Sequence, residues 1–227
     1  MIELKHVTKL YDGKNGVRDI NLCINSCETV SLIGPNGAGK STLIKLLCGI
    51  LHEDEGEIII HHKVMKDISM RKDIGYMPDV VHLSGKITAW ELLHLVSDFK
   101  FKGQEKAYIE QMVSRYQIES QIKKRFSTLS LGTQKKVTLI IAMMGEPEIL
   151  IFDEPTTGLD TEGLLAFKDD IFRIRARGGC IILSSHILDF LGAVADRNVF
   201  LQDGQIARIC SSKNNLDGIY REIYMVK

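Results

Sequence analysis

The segment that most constrains this chain is a glycine-rich stretch at residues 34–42, which reads Gly-Pro-Asn-Gly-Ala-Gly-Lys-Ser-Thr. It matches G-x-x-x-x-G-K-[ST] at every fixed position, follows an apolar run at 29–33, and precedes residues 41–51 with apolar side chains at helical spacing. In such a loop, backbone N–H groups and the positive end of the following helix converge on an anion. The pattern therefore predicts a phosphate-binding loop between a buried strand and a helix.

Each residue type in this loop suits nucleotide binding. Lys40 is expected to reach the β- and γ-phosphates, and the Ser41 hydroxyl to bind Mg²⁺. The alternative is a glycine turn that matches by chance, which the strand and helix on either side disfavour. The loop residues predicted to bind nucleotide are Gly34, Asn36, Gly37, Ala38, Gly39, Lys40, Ser41 and Thr42.

Two acids end a second apolar run, at residues 149–154. A buried parallel strand presents side chains at its carboxyl end, where ligands bind in such sheets. Asp153 is predicted to hold Mg²⁺, and Glu154 to polarise a water for attack on the γ-phosphate. Two solvated acids at a strand end would be the ordinary interpretation, but the phosphate loop favours the catalytic one.

Apolar strands alternate with helical stretches along most of the chain, which predicts an α/β fold with a mostly parallel sheet. Residues 1–33 read as strands, and we predict an N-terminal antiparallel β subdomain. Residues 86–126 have few β-branched runs and many Glu, Lys and Gln, so they read as a helical insertion. We predict that this inserted helical subdomain spans residues 80–127. We therefore predict a single domain over 1–227 with that insertion.

Composition excludes several classes of protein. Lys+Arg and Asp+Glu both number 29, so the net charge is zero, which disfavours a general nucleic-acid binder. No uninterrupted apolar run approaches the roughly 20 residues of a membrane span. The five cysteines lack the spacing of a zinc site.

Further motifs give the chain a family resemblance. Residues 128–134 read Thr-Leu-Ser-Leu-Gly-Thr-Gln, shortly before the acidic strand, and residues 155–160 read Pro-Thr-Thr-Gly-Leu-Asp. With the loop and the acids, these motifs resemble the nucleotide-binding subunit of an ABC transporter, whose signature is usually written LSGGQ. The resemblance implies a P-loop NTPase core in which Ser130 and Gly132 contact nucleotide held by another subunit, while Asp160 lies at the dimer interface. Leu131 and Thr133 depart from the signature.

The resemblance also implies roles for three other residues. His186, after the strand at 180–184, would be the switch histidine at the γ-phosphate, and Tyr11 would stack on adenine. Asp79 stands where the family usually has Gln; it keeps a metal-binding oxygen and loses the amide donor. We expect Asp79 to be a third Mg²⁺ ligand beside Ser41 and Asp153.

The resemblance implies an ATPase that dimerises on ATP and powers a separate membrane permease. The expected cofactors are ATP and Mg²⁺. The expected partners are a permease and a second ATP-binding subunit. The chain is expected in the cytoplasm, held by the permease on the inner face of the cell membrane. Asp79, the Thr157–Asp160 motif and the short stretch after residue 210 favour an exporter. The alternatives are a soluble ABC-type ATPase acting on nucleic acid or ribosomes, which zero charge and a single phosphate loop disfavour, and a binder that does not hydrolyse ATP.

Overall fold

Two β-sheets and the helices packed against them form the framework of the chain, in a computed structural model that describes residues 2–65, 74–81, 86–212 and 214–225. In chain order the strands are β1 (Ile2–Tyr11), β2 (Asn15–Ile24), β3 (Thr29–Ile33), β4 (Glu55–Ile60), β5 (Lys63–Val64), β6 (Ile74–Met77), β7 (Ile149–Phe152), β8 (Cys180–Ser184), β9 (Arg197–Gln202) and β10 (Gln205–Ser211). The helices are α1 (Lys40–Leu47), α2 (Ala89–Phe101), α3 (Lys106–Arg115), α4 (Leu131–Met143), α5 (Thr161–Ala176), α6 (Leu188–Val194) and α7 (Leu216–Tyr224).

The larger sheet has six strands in the order β10-β9-β3-β8-β7-β6, and all neighbours pair in parallel except β10 and β9. The smaller sheet, β2-β1-β4-β5, is antiparallel. Because β3, β7 and β8 are adjacent and parallel, their carboxyl ends meet at one edge. The residues that follow Ile33, Phe152 and Ser184 therefore come together, and the predicted α/β fold is confirmed.

Both faces of the larger sheet are covered, which explains why its central strands are continuously apolar. Along β7, Leu150 and Phe152 belong to a core shared with the helices α2 to α7. Ile149 and Ile151 point the other way, into a core shared with α1 and the smaller sheet. Alternate residues of one strand thus bind two layers of the fold together.

Two helices end earlier than their apolar spacing predicts. The helix expected over 41–51 ends at Leu47. The sequence also predicts a helix over 131–145, opened by Ser130, and that helix ends at Met143. Glycines at 49 and 145 follow closely with φ of 62° and 74°, a conformation that stops an α-helix. Sequence reasoning also missed the short elements β5 and α6.

Helices α2 and α3 lie in the predicted insertion, of which residues 82–85 are outside the described residues. Thr88 begins α2 with a reciprocal cap: its Oγ1 accepts from the Glu91 N–H at 3.2 Å, and the Glu91 carboxylate accepts from the Thr88 N–H at 2.8 Å. Tyr116 fixes the end of α3 to α5, because its hydroxyl donates to Asp170 at 2.8 Å. The bounds of the insertion, 80–127, stay a prediction.

In the part of the chain that the structure describes, no helix combines the length and the apolar character required to span a bilayer.

Phe152, Phe167 and Phe190 form an aromatic cluster against the larger sheet, and we expect this cluster to contribute to stability. Phe167 is fully buried, 5.0 Å edge-to-face from Phe152 and 5.8 Å stacked from Phe190, measured between ring centroids. Phe167→Ala should lower the free energy of unfolding by about 3 to 5 kcal/mol, because it removes these contacts and leaves a cavity. Phe99→Ala, at a side chain 92% exposed, should change it by less than about 0.5 kcal/mol. Urea unfolding followed by circular dichroism compares the two; equal losses would contradict this account of the core.

Candidate functional site

A cleft of about 330 Å³ opens at the carboxyl edge of the larger sheet. Its lining includes residues 35–42 of the glycine-rich loop and the predicted residues Tyr11, Asp79, Asp153, Glu154 and His186. Asn15 and Gly16, which sequence reasoning missed, complete one wall. Gly34 is buried beneath the loop, where a side chain would meet the carbonyl oxygen of Leu201 at 2.6 Å. The fold thus gathers residues from five separate parts of the chain.

The glycine-rich loop has the conformation that its sequence predicts. Gly37 and Gly39 have φ of 84° and 105°, and α1 begins immediately afterwards at Lys40. The first N–H groups of an α-helix have no partner within the helix, so those of α1 are available to an anion at the loop.

Gly39 and Gly37 make a matched pair of substitutions. A Cβ at Gly39 would lie 2.8 Å from Val17 Cγ1 and 2.9 Å from the Gly16 carbonyl oxygen, whereas a Cβ at Gly37 meets nothing within 4 Å. Both alanines are strained by about 1 to 2 kcal/mol at positive φ, but only Gly39→Ala also clashes. We expect Gly37→Ala to weaken ATP binding about 10-fold or less, and Gly39→Ala about 100-fold or more. Titration with a fluorescent ATP analogue measures both, and equal affinities would contradict the crowding at Gly39.

Lys40 is buried beside the loop. Its Nζ donates to the carbonyl oxygens of Gly34 at 2.5 Å and Pro35 at 3.2 Å. Burial lowers the pKa of Lys40, while the charges of Glu154 and Asp153 act in the opposite direction. An ammonium group held in this way is preorganised for a charge-assisted contact with an anion in the cleft.

Ser184, at the end of β8, holds the two acids in place. Its Oγ donates to Asp153 Oδ1 at 2.8 Å and accepts from the Glu154 N–H at 2.9 Å. Glu154 has φ of 49°, an uncommon conformation for a residue with a side chain, of the kind found at functional sites. Sequence reasoning gave Ser184 no role; the available signal was a hydroxyl at the end of a strand adjacent to β7.

The Glu154 carboxylate is suited to accept a proton. Both of its oxygens are buried, and neither accepts a hydrogen bond from any residue that the structure describes. His186 Nε2 lies 3.4 Å from Glu154 Oε1 without hydrogen-bond geometry. Burial raises the pKa of Glu154, and the charges of His186 and Lys40 oppose that shift. A carboxylate with a raised pKa at a cleft is a good general base near neutral pH.

Ser130, Gly132 and Asp160 do not line this cleft. Ser130 caps α4 by accepting from the Thr133 N–H at 3.3 Å. Asp160 caps α5 and pairs with Lys136 Nζ at 2.8 Å, a hydrogen bond that lowers the pKa of Asp160. A side chain at Gly132 would meet the Gly158 carbonyl oxygen at 2.2 Å, so the start of α4 packs tightly on the loop before α5. These three residues form a second group outside the cleft.

Comparison with known proteins decides the family. The family model described as ABC transporter matches residues 17–157. The chain belongs to the ABC transporter family. It is similar to the uncharacterized ABC transporter ATP-binding protein YhcH of Bacillus subtilis, with 31% identity over 96% of this chain and 72% of that protein. The SkfA peptide export ATP-binding protein SkfE of Bacillus subtilis is 28% identical, over 91% of this chain and 87% of SkfE.

A solved ABC cassette, the dimeric post-hydrolysis state of MJ0796 bound to ADP and Pi, superposes with a TM-score of 0.81. It is 26% identical and covers 95% of this chain and all of that one. The chain is therefore an ATP-binding ABC ATPase, as its sequence predicts. YhcH carries the name of an ABC transporter subunit and SkfE that of a peptide export subunit, which favours transport over action on nucleic acid.

Proposed function

We propose that this ABC ATPase dimerises on ATP and powers a separate membrane permease of an exporter. The observation that carries the proposal is the Glu154 carboxylate, which is buried, lacks hydrogen bonds from the described residues and lines the same cleft as Lys40 and Ser41. A binder that does not hydrolyse ATP has no need of such a group. The export relative SkfE supports the direction of transport.

Different residues of the cleft bind different parts of the nucleotide. Tyr11 is 40% exposed and stacks on the adenine ring, while the loop holds the phosphates through its backbone. Lys40 contacts the β- and γ-phosphates. The predicted loop residues Gly34, Asn36, Gly37, Ala38, Gly39, Lys40, Ser41 and Thr42 act together in this binding.

The donors in the cleft fit Mg²⁺. Ser41 supplies a hydroxyl and Asp153 a carboxylate oriented by Ser184, and both are hard oxygen ligands. Among the described residues no cluster of three or more acidic, His or Cys side chains forms a complete metal site. This agrees with Mg²⁺ held by few protein groups together with substrate phosphates. The sequence also predicts Asp79 as a third ligand, although one of its carboxylate oxygens already pairs with Lys135 Nζ at 3.1 Å. Bound Mg²⁺ would neutralise charge on the phosphates during transfer.

Glu154 and His186 perform the catalytic work in this proposal. Glu154 accepts a proton from the attacking water, since its pKa is raised and its position is fixed by Ser184. His186, 3.4 Å from Glu154 Oε1, orients the water and contacts the γ-phosphate.

A second copy of an ATP-binding subunit completes the site. Ser130 and Gly132 lie at the beginning of α4, where the helix end favours a phosphate, yet they are outside the cleft of their own chain. In the proposed dimer they contact nucleotide held by the partner, and Asp160 lies at the interface.

The permease contacts the helical insertion on the inner face of the membrane. Leu95 and Phe99, four residues apart on α2, are 56% and 92% exposed, and Val80 is 57% exposed. Exposed apolar side chains on one helix face mark an interaction surface. The chain is then peripheral and cytoplasmic, held at the membrane by its permease.

Membrane fractionation tests this proposal. The tagged chain expressed in its native cells should sediment with membranes and be released by detergent. Phe99→Glu should release at least half of it, whereas Phe172→Glu, at an exposed site on α5, should not. Equal sedimentation of both variants, or a wild-type chain found only in the supernatant, would contradict the proposed attachment.

A further inference from the structure

Lys135 is a buried lysine that neither the motifs nor the family resemblance assigned to the site. It lies on α4 and is 3% exposed. Its Nζ donates to the Asp79 carbonyl oxygen at 2.5 Å, to Asp79 Oδ1 at 3.1 Å and to the Glu154 carbonyl oxygen at 2.9 Å. An ammonium group has three donors, so these contacts use all of them.

Lys135 holds the carbonyl group of the Glu154 main chain, whereas Ser184 holds its N–H group. Ser184 accepts from the Glu154 N–H, and Lys135 donates to the Glu154 carbonyl oxygen. Between these two contacts the residue has φ of 49°, which an unsupported chain seldom adopts. The direction of the Glu154 side chain therefore depends on Lys135 as well as on Ser184.

Asp79 supplies the charge that a buried lysine requires. A buried ammonium without a carboxylate is costly, and here Asp79 Oδ1 is at ion-pair distance. The pair also joins the end of β6 to the helix that begins after Ser130.

We propose that Lys135 is a positioning residue for ATP hydrolysis, and that Asp79 acts by holding it. The inference rests on the proposed function, because it requires Glu154 to be the general base. Lys135 contacts the main chain of Glu154 and of Asp79 and does not line the cleft, so its removal should affect turnover and leave ATP binding intact.

Steady-state kinetics of the full chain provide the test. Lys135→Met should lower kcat about 10- to 100-fold, since small displacements of a catalytic group have effects of this size. Affinity for a fluorescent ATP analogue should stay within about 3-fold. Lys123→Met, at an exposed lysine before α4, should change neither value. An unchanged kcat in Lys135→Met would overturn the proposal.

A double-mutant cycle separates positioning from general damage. In a Glu154→Gln background, Lys135→Met should lower the residual rate by less than about 2-fold, because the group that it positions is gone. A full additional loss in that background would overturn the proposal. An ATP hydrolysis rate of Glu154→Gln equal to that of the wild type would instead refute the proposed function.

Asp79→Asn tests the pair even where Lys135→Met does not fold. It weakens the ion pair and leaves the two carbonyl acceptors of Lys135 in place. We expect kcat to fall about 3- to 10-fold with no change in the Mg²⁺ concentration for half-maximal rate. A shift of that concentration with kcat unchanged would make Asp79 a metal ligand and overturn its role through Lys135.

Discussion

Glu154→Gln is expected to lower kcat for ATP hydrolysis by about 100- to 10,000-fold, the usual contribution of a general base. The amide has nearly the same shape, but it cannot accept the proton of the attacking water. ATP binding should persist or improve, because the change removes a negative charge next to the phosphates.

Phosphate release measures this loss, and binding of a fluorescent ATP analogue shows whether the site is intact. Glu162→Gln is the matched control, since Glu162 is exposed in the first turn of α5. It should hydrolyse ATP at the wild-type rate. A Glu154→Gln variant within 3-fold of the wild type would exclude Glu154 as the base.

Lys40→Ala should abolish ATP binding at ordinary concentrations, with turnover lost as well. A hydrogen bond to a charged group contributes about 1.5 to 3 kcal/mol. In the proposed function Lys40 contacts two phosphates, so affinity should fall about 100-fold or more. The fold should survive, because burial already disfavours the Lys40 charge, as its lowered pKa indicates.

Isothermal titration with ATP and thermal unfolding without nucleotide separate binding from folding. Lys45→Ala, at an exposed position on the same helix, serves as the control and should bind ATP normally. Lys40→Ala with wild-type affinity would contradict the phosphate-contact role.

Features could be predicted from the sequence where a local motif also determines the elements around it. The glycine-rich loop required a strand before it and a helix after it, and β3 and α1 occupy those places. The apolar run at 149–152 became β7, because a strand that is apolar on both faces is stable only between two covered layers. These constraints brought Lys40, Asp153 and Glu154 to one edge.

Contacts between distant residues could not be predicted in this way. Lys135 lies 56 positions from Asp79 and 19 from Glu154, and its sequence context is that of an ordinary helix lysine. Ser184 also depends on strand pairing, because β8 must lie beside β7 for its hydroxyl to reach both acids. The resemblance suggested Asp79 as a metal ligand, whereas the structure adds its ion pair with Lys135.

The measurement that tests the central claim most directly is the oligomeric state of Glu154→Gln, determined by size-exclusion chromatography with light scattering. If each ATP is held between the loop of one subunit and Ser130 of the other, the variant should be a dimer with Mg-ATP. It should be a monomer with Mg-ADP, which lacks the γ-phosphate that joins the two sides. A monomer under both conditions, or a stable dimer without nucleotide, would contradict a site shared between two subunits.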